Sequence, residues 1–515
     1  MKTTTPRRLQ YFKRRIKKRL FDQLVTPRQD PMFTASNIHY EAAARTRGLA
    51  CGGLGAIHQV VRGVGLVQAL DRHVDLLKVH LPYTESDHIL NIAYNILASG
   101  TCLQDLELRR NDEVYLDALG TSSIPDPTTA GDFCRRFKTD EDVLALLAAI
   151  NVCRLKVWKQ QPPGFFELAV IDADGLIAAT DGECKKGIDM SYNRLWSYHP
   201  LLISLANTKE MLFLVNRSGN RPSHEQADVY LDKAIELCLK GGFRNILLRG
   251  DTDFSQTWKL DGWDAAGNIK FILGIDAMPN LRALAGALPE SDWKRLQRQP
   301  RYQVKTSERT KPENVREAIV VKRGYTNQVL LYEDVAEFNY RPGHCKQDYR
   351  MIALRKTISV RKGDKEIRVE QRYFFYITNE RGLAAEQIVF KANERCDQEN
   401  LIAQLKDGGV RAMHNPLDNL HSNWAYMVIA SLAWTLKTWC ALLLPAPKGP
   451  WHERYQTERQ ELLKMEFKRF VNSMIQIPCQ IVRTSRRIVY RMLSWNPWAT
   501  ALLRLSEAMR EPLLC

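Results

Sequence analysis

Between residues 165 and 250, apolar segments follow one another in the order strand, strand, strand, helix, strand. Phe165 to Ile171, Pro200 to Ala206, Met211 to Val215 and Asn245 to Gly250 are too short for helices and read as buried strands; Ser223 to Lys240 carries helical periodicity. This alternation predicts an α/β domain with a sheet flanked by helices. The first run delivers Asp172 and Asp174 before Gly175 breaks the pattern, and the last delivers Asp251. Alone, an aspartate at a strand end is ordinarily a turn residue.

A third acidic position lies far downstream. Arg395, Glu399 and Lys406 fall on one stripe of a helix: at about 100° per residue, Arg395 and Lys406 are three turns and roughly 20° apart, with Glu399 within about 40° of Arg395. Leu401 and Leu405 point elsewhere, toward a core. One helix is therefore expected from Asn393 to Lys406, closed by Gly408 and Gly409. The bland alternative is a solvated face on which both cations simply pair with Glu399.

Six motifs resemble DDE transposases of bacterial insertion sequences, of the family numbered 1380. They are Asp174-Gly175, Gly182-Glu183-Cys184-Lys185, Tyr198-His199-Pro200-Leu201, Asn216-Arg217-Ser218-Gly219-Asn220, Arg249-Gly250-Asp251-Thr252-Asp253-Phe254 and Asn393-Glu394-Arg395-Cys396-Asp397-Gln398-Glu399-Asn400. Related transposases carry a signature of Tyr, two residues, Arg, three residues, Glu, six residues, Lys. This chain matches it at Arg395, Glu399 and Lys406 and departs at the tyrosine position, where it has Ala392. The resemblance implies an RNase H-like mixed sheet in which the first and fourth strands lie side by side. It also implies a catalytic triad of Asp174, Asp251 and Glu399. Asp172 shares a strand face with Asp174 and is the alternative first carboxylate; Asp174 is preferred because it precedes the glycine, as in the family's pattern.

Phosphodiester cleavage and rejoining is an in-line displacement in which attacking and leaving oxygens both gain charge, and two metal ions about 3.5–4 Å apart stabilise both. Three carboxylates suit Mg²⁺, with Mn²⁺ as substitute, rather than zinc. Arg395 and Lys406 are expected to hold DNA phosphates, one as a planar fork and the other as a point charge. The expected function is that of a DNA transposase. It binds the terminal inverted repeats of its element, cleaves by metal-dependent hydrolysis, and joins 3′-hydroxyl ends to target DNA as a homodimer or higher oligomer on paired ends. The alternatives are a catalytically inactive, transposase-derived repressor, an RNase H-like nuclease without strand transfer, and a metal-independent carboxylate-pair glycosidase.

The net charge of +16 fits a partner made of phosphates. Residues 1 to 20 hold Lys2, Arg7, Arg8, Lys13, Arg14, Arg15, Lys17, Lys18 and Arg19 with no acidic residue, which reads as a phosphate-binding arm. A solubilising tail or a membrane-surface segment is the alternative, since Leu9, Tyr11, Phe12, Ile16 and Leu20 interleave with the charge. With 515 residues the chain exceeds one ordinary core. The expected division is a basic arm and helical DNA-binding domain over 1–150, a first core part over 160–276, a β-rich insertion over 277–378, a second core part over 379–445 and a helical region over 446–515. Helix starts are expected at Thr84 with Asp87 and at Thr129 with Asp132. In the insertion, Ala318 to Lys322, Val329 to Tyr332, Met351 to Val360 and Ile367 to Ile377 read as strands, rich in cations that suit a DNA-facing sheet or simply protect its edge. Trp258 and Trp293 are able to stack a displaced base, although a core role is expected for either.

Residues 423 to 444 approach membrane-span length but include Asn423, Ser431, Thr435 and Lys437, so a buried core helix is expected. The eleven cysteines include no Cys-x-x-Cys pair, which fits a reducing cytoplasm better than zinc sites or a disulfide framework, and the N-terminus lacks the long apolar stretch of a signal peptide; the resemblance implies a bacterial, nucleoid-associated location. Cys51-Gly52-Gly53-Leu54-Gly55 follows no convincing strand and gives little support to nucleotide binding. Arg483, Arg486, Arg487 and Arg491 form a further basic group without an assigned use.

Overall fold

A computed structural model describes residues 4–25, 35, 38–40, 46–80, 82–182, 184–298, 315–363, 365–484, 487–511 and 513; Lys2, Glu183 and Arg486 lie outside the described residues. One nine-stranded mixed sheet organises the chain. Its strands are β1 (Leu168–Gly175), β2 (Leu201–Leu205), β3 (Glu210–Val215), β4 (Asn245–Gly250), β5 (Ile269–Ile275), β6 (Lys294–Arg295), β7 (Thr326–Tyr340), β8 (Tyr349–Lys362) and β9 (Lys365–Thr378). They lie in the order β6-β7-β8-β9-β5-β4-β1-β2-β3.

The first and fourth strands are neighbours, as expected. β1 runs parallel to β4, which runs parallel to β5, whereas β2 and β3 are antiparallel additions on the far side. The helices that matter below are α1 (Thr4–Val25), α2 (Glu85–Leu97), α3 (Asp140–Lys159), α4 (Ala227–Lys240), α5 (Ala385–Asn393), α6 (Cys396–Lys406), α7 (Leu420–Leu443) and α8 (His452–Lys464). Helix α4 makes the crossover between β3 and β4 and packs on β1, β2 and β3.

Strands β7 to β9 form a long antiparallel hairpin system that continues the same sheet through β9, which pairs with β5 from Phe375 opposite Ile275 to Thr378 opposite Ile272. The run Ala318 to Lys322, expected as a strand, is instead the end of a helix, Val315–Lys322. A five-residue apolar run cannot distinguish the two periods, and Gly324, at φ +60°, turns the chain into β7 only after that helix has ended.

Helix α7 is long and apolar enough to cross a membrane by length and composition, and its most apolar stretch is wholly buried inside the fold. It packs against α2, α3, α8 and β3 and so ties the helical N-terminal region to the sheet. The join is sealed by Glu210 of β3, fully buried, which accepts from Arg154 Nε (3.1 Å) and Trp158 Nε1 (2.8 Å) of α3, Trp439 Nε1 (3.0 Å) of α7 and Thr208 Oγ1 (2.7 Å). A buried carboxylate with this many donors meets its desolvation cost with charge-assisted bonds.

At the start of α2, the Thr84 amide donates to Asp87 Oδ2 at 2.9 Å, the expected capping contact. The next start lies three residues before the expected Thr129: Asp126 accepts from the Thr129 amide at 3.0 Å and Pro127 opens the helix. Proline at the first helical position, with an acidic cap before it, outweighs the Thr129–Asp132 signal. The basic N-terminal segment is helical. Arg7, Arg8, Arg14, Arg15, Lys17, Lys18 and Arg19 are exposed, while Leu9 is buried and the Lys13 ammonium lies 5.3 Å from the ring centre of Trp495.

Candidate active site

The register of β1 against β4 sets the site. Asp172 is the Cα partner of Arg249, the last pair of this parallel ladder, and two residues farther along each chain stand Asp174 and Asp251. Side chains two apart share a face, so an ion pair and a pair of carboxylates follow one another across the same two strands. The Asp172 carboxylate, 1 % exposed, takes a two-pronged contact from Arg249, with Nε at 2.7 Å and Nη2 at 2.8 Å. Burial pushes this carboxyl up and Arg249 pulls it back down. Arg249 also donates to the Lys391 carbonyl at 2.9 Å and to Glu394 at 3.2 Å, which fastens the end of α5 to the sheet.

Asp174 and Asp251 share a different arginine. Arg395 Nη1 is 2.9 Å from Asp174 Oδ2, and its Nη2 is 3.3 Å from Asp251 Oδ2. Burial raises the Asp174 carboxyl to about 6 against the pull of Arg395, with Asp251 adding repulsion. Asp251 is raised as well, first by burial, while Arg395 and the Asp253 amide hold it back. Burial opposes the charge on Arg395, but Asp174 and Asp251 outweigh it and raise its pKa. Burial lowers Lys406, against the pull first of its neighbour Asp407 and then of Asp174.

Two glycines allow this approach. A Cβ on Gly175 would sit 2.9 Å from His199 Nε2 and 3.0 Å from Ser223 Cβ. One on Gly274 of β5 would sit 2.8 Å from the backbone of both Asp251 and Thr252.

The segment expected as one helix from Asn393 to Lys406 is two: α5 ends at Asn393, Glu394 and Arg395 make the junction, and α6 begins at Cys396. Leu401 and Leu405 are buried as expected. Gln398 anchors α6 by donating to the carbonyls of Asp172 (3.1 Å) and Leu202 (3.3 Å). Glu399 is exposed, one turn beyond Arg395, and makes no side-chain hydrogen bond or ion pair among the described residues. The structure thus brings Asp174, Asp251 and Arg395 together, commits Asp172 to Arg249, and leaves Glu399 and Lys406 outside the shared contact. Among the described residues, the group of three acidic or metal-ligating side chains within 4.8 Å of one another is Asp75, His80 and Glu85, elsewhere in the helical region. Glu85 there accepts the Leu76 and Leu77 amides.

Arg249 and Gln398 were assigned no role from the sequence, although the repeated spacing of Asp172–Asp174 and Arg249–Asp251 is a visible sign that two layers of charge cross the sheet. Of the tryptophans, Trp258 is 51 % exposed, and its Nε1 donates to Asp228 at 3.3 Å. Trp293 is half-buried under the Arg355 guanidinium, 4.2 Å from its ring centre.

The site is thus two partly buried aspartates at the ends of adjacent parallel strands of a mixed α/β core, bridged by one arginine. The chain belongs to the family described as transposase DDE domain group 1, whose profile matches residues 49–512. It is a DDE transposase. Among solved structures, the synaptic complex of piggyBac transposase with hairpin DNA is similar at 11% identity and a TM-score of 0.33, covering 83% of this chain and 80% of that one. That likeness is too loose to bear on the placement of any residue. No curated protein matches the sequence.

Proposed function

We propose that this chain is the transposase of a bacterial insertion sequence of the family numbered 1380, cutting at the element's terminal inverted repeats and joining its 3′-hydroxyl ends to target DNA. One observation carries the reading: Asp174 and Asp251, at the ends of adjacent parallel strands, are close enough to share a single guanidinium. The strand order from β3 to β5, with the first strand central, is the order of an RNase H-like core and supports the same reading.

The donor set fits a hard divalent cation. Asp174 and Asp251 offer only oxygen, they are partly desolvated, and they already draw a cation between them. With Glu399 they would hold Mg²⁺, or Mn²⁺ in its place, at two ions per site. Bound there, the metal supplies Lewis-acid stabilisation of the attacking and leaving oxygens. The chain's own residues do the rest. The Asp172–Arg249 pair beneath the site fixes the spacing of the two strand ends, and Lys406 draws a scissile or flanking phosphate toward Asp174. Water is the nucleophile for cutting and the DNA 3′-hydroxyl for joining. The exposed cations of α1 and the helical region that follows bind the repeats, and two or more copies pair the ends.

The test is cleavage and strand transfer on labelled DNA carrying the element's terminal repeats, with wild type and Glu399→Gln. Joined products that depend on Mg²⁺ or Mn²⁺ and vanish in Glu399→Gln, with repeat binding intact, are expected. Wild type that binds the repeats and never cuts would make the chain a repressor; cutting without joined products would make it a nuclease.

A further inference from the structure

We infer that Arg395 is an internal counter-cation of the site: it competes with the divalent metal for Asp174 and Asp251, and becomes free for a DNA phosphate only when metal takes its place. The inference rests on the transposase reading above and concerns a step before chemistry. Arg395 reaches the same oxygen, Oδ2, in each aspartate, and uses one terminal nitrogen for each. A guanidinium is a rigid fork whose nitrogens suit two acceptors at once. The three side chains are only 15 to 37% exposed, so the two carboxylates would repel in a poorly solvated space without a cation between them.

The backbone makes an exchange feasible. Arg395 lies at the junction between α5 and α6, outside the regular turns of both, so its side chain can swing without unwinding either helix. Gln398 and the buried Leu401 and Leu405 hold α6 on the sheet independently. Glu399, exposed one turn away, has its carboxylate available. Once Arg395 swings out, Asp174 and Asp251 lose their protein cation and the third carboxylate has room to approach. An arginine that faces a phosphate only in the metal-loaded protein would couple DNA grip to metal loading.

The ordinary alternative is a tether, in which Arg395 merely ties α6 to the strand ends. The two roles predict opposite signs. Removing a tether loosens the carboxylates and weakens metal binding, whereas removing a competitor strengthens it. The experiment is Mn²⁺ binding to the full chain without DNA, followed by the electron paramagnetic resonance of free Mn²⁺, for wild type, Arg395→Gln and Arg395→Lys. Arg395→Gln is expected to bind Mn²⁺ about tenfold tighter, the smaller end of what losing hydrogen bonds between charged groups implies. Arg395→Lys should fall between, because it keeps the charge but not the fork. If Arg395→Gln does not fold by circular dichroism, Arg395→Lys alone decides the sign.

A second readout is the salt dependence of repeat binding. Mn²⁺ should steepen the logarithmic slope of wild type by about one phosphate contact and leave that of Arg395→Gln unchanged. Equal or weaker Mn²⁺ binding in the variants, or no Mn²⁺ binding in any of the three proteins, overturns the inference. Tighter binding in Arg395→Gln together with a wild type that never cuts DNA would sustain the counter-cation and sink the transposase reading instead.

Discussion

Replacing Arg249 by methionine tests whether the layer beneath the site is as decisive as its geometry implies. Asp172 is 1 % exposed and Arg249 is 3 % exposed, and two contacts of 2.7 and 2.8 Å join them. Removing one partner of a buried pair costs about 3–5 kcal/mol, because the remaining charge has neither water nor a counter-ion. The contact to the Lys391 carbonyl goes as well, whereas that to Glu394, whose side chain is 66% exposed, adds little. With a urea dependence of ~3 kcal/mol per M for a large domain, the unfolding midpoint of Arg249→Met should drop by roughly 1–1.7 M at pH 8. The sign of the pH dependence follows from Asp172. Burial already raises its pKa, and loss of Arg249 removes the main opposing influence, so in the variant the native state binds a proton that the unfolded chain does not. Stability of the variant relative to wild type should therefore recover as pH falls from 8 toward 5. Asp172→Leu combined with Arg249→Met should restore most of the midpoint, since an apolar pair of similar volume is near neutral. A midpoint within 0.3 M of wild type for Arg249→Met, or a deficit that grows as pH falls, would refute the argument.

Three further outcomes follow from the site itself. Because Asp174 is held at about 6, protons compete with metal for it. Mn²⁺ binding should be flat above pH 7 and about tenfold weaker at pH 5. The same raised pKa means that metal-free stability attributable to Asp174 is lost, not gained, as pH rises from about 4 to about 6; calorimetric titration and urea unfolding across that range check both signs. Gly274→Ala puts a methyl group 2.8 Å from the backbone of Asp251 and Thr252. It should cost about 1–3 kcal/mol in urea unfolding and displace Asp251 enough to reduce cleavage at least tenfold, with repeat binding unchanged.

Much of the site was legible because its parts are strand ends. The period of two made Asp172 and Asp174 neighbours on one face, the glycines marked where β1 and β4 stop, and Arg395 was singled out as a cation facing the carboxylates, although from the junction before α6 rather than from one continuous stripe. What stayed hidden depends on tertiary pairing. No spacing rule tells that Arg249 belongs to Asp172 rather than to a phosphate, because that requires the parallel register between strands 77 residues apart. The break at Glu394–Arg395 was equally invisible, since no proline or glycine marks it and the junction is fixed from outside by Arg249 holding the Lys391 carbonyl. The Val315–Lys322 helix was misread for a simpler reason: a short apolar run has no period of its own.

The continuity of the sheet has a mechanical consequence for the β7–β9 hairpins. β9 lies on β5, with Tyr376 opposite Gly274, whose backbone is close against Asp251, so β9 is one strand away from a strand-end carboxylate. At the end of β9, Asn379 clamps β5 by accepting from the Phe271 amide (3.0 Å) and donating to the Ile269 carbonyl (3.0 Å), and the chain then runs directly into α5. From there Arg249 catches Lys391 and Glu394, and the next residue is Arg395. A force applied to β7–β9 by whatever the hairpin holds would thus reach Asp251 through β5, and Arg395 and Glu399 through α5. The connections on both routes are the β5–β9 ladder, the Asn379 clamp and the bonds from Arg249 to the end of α5.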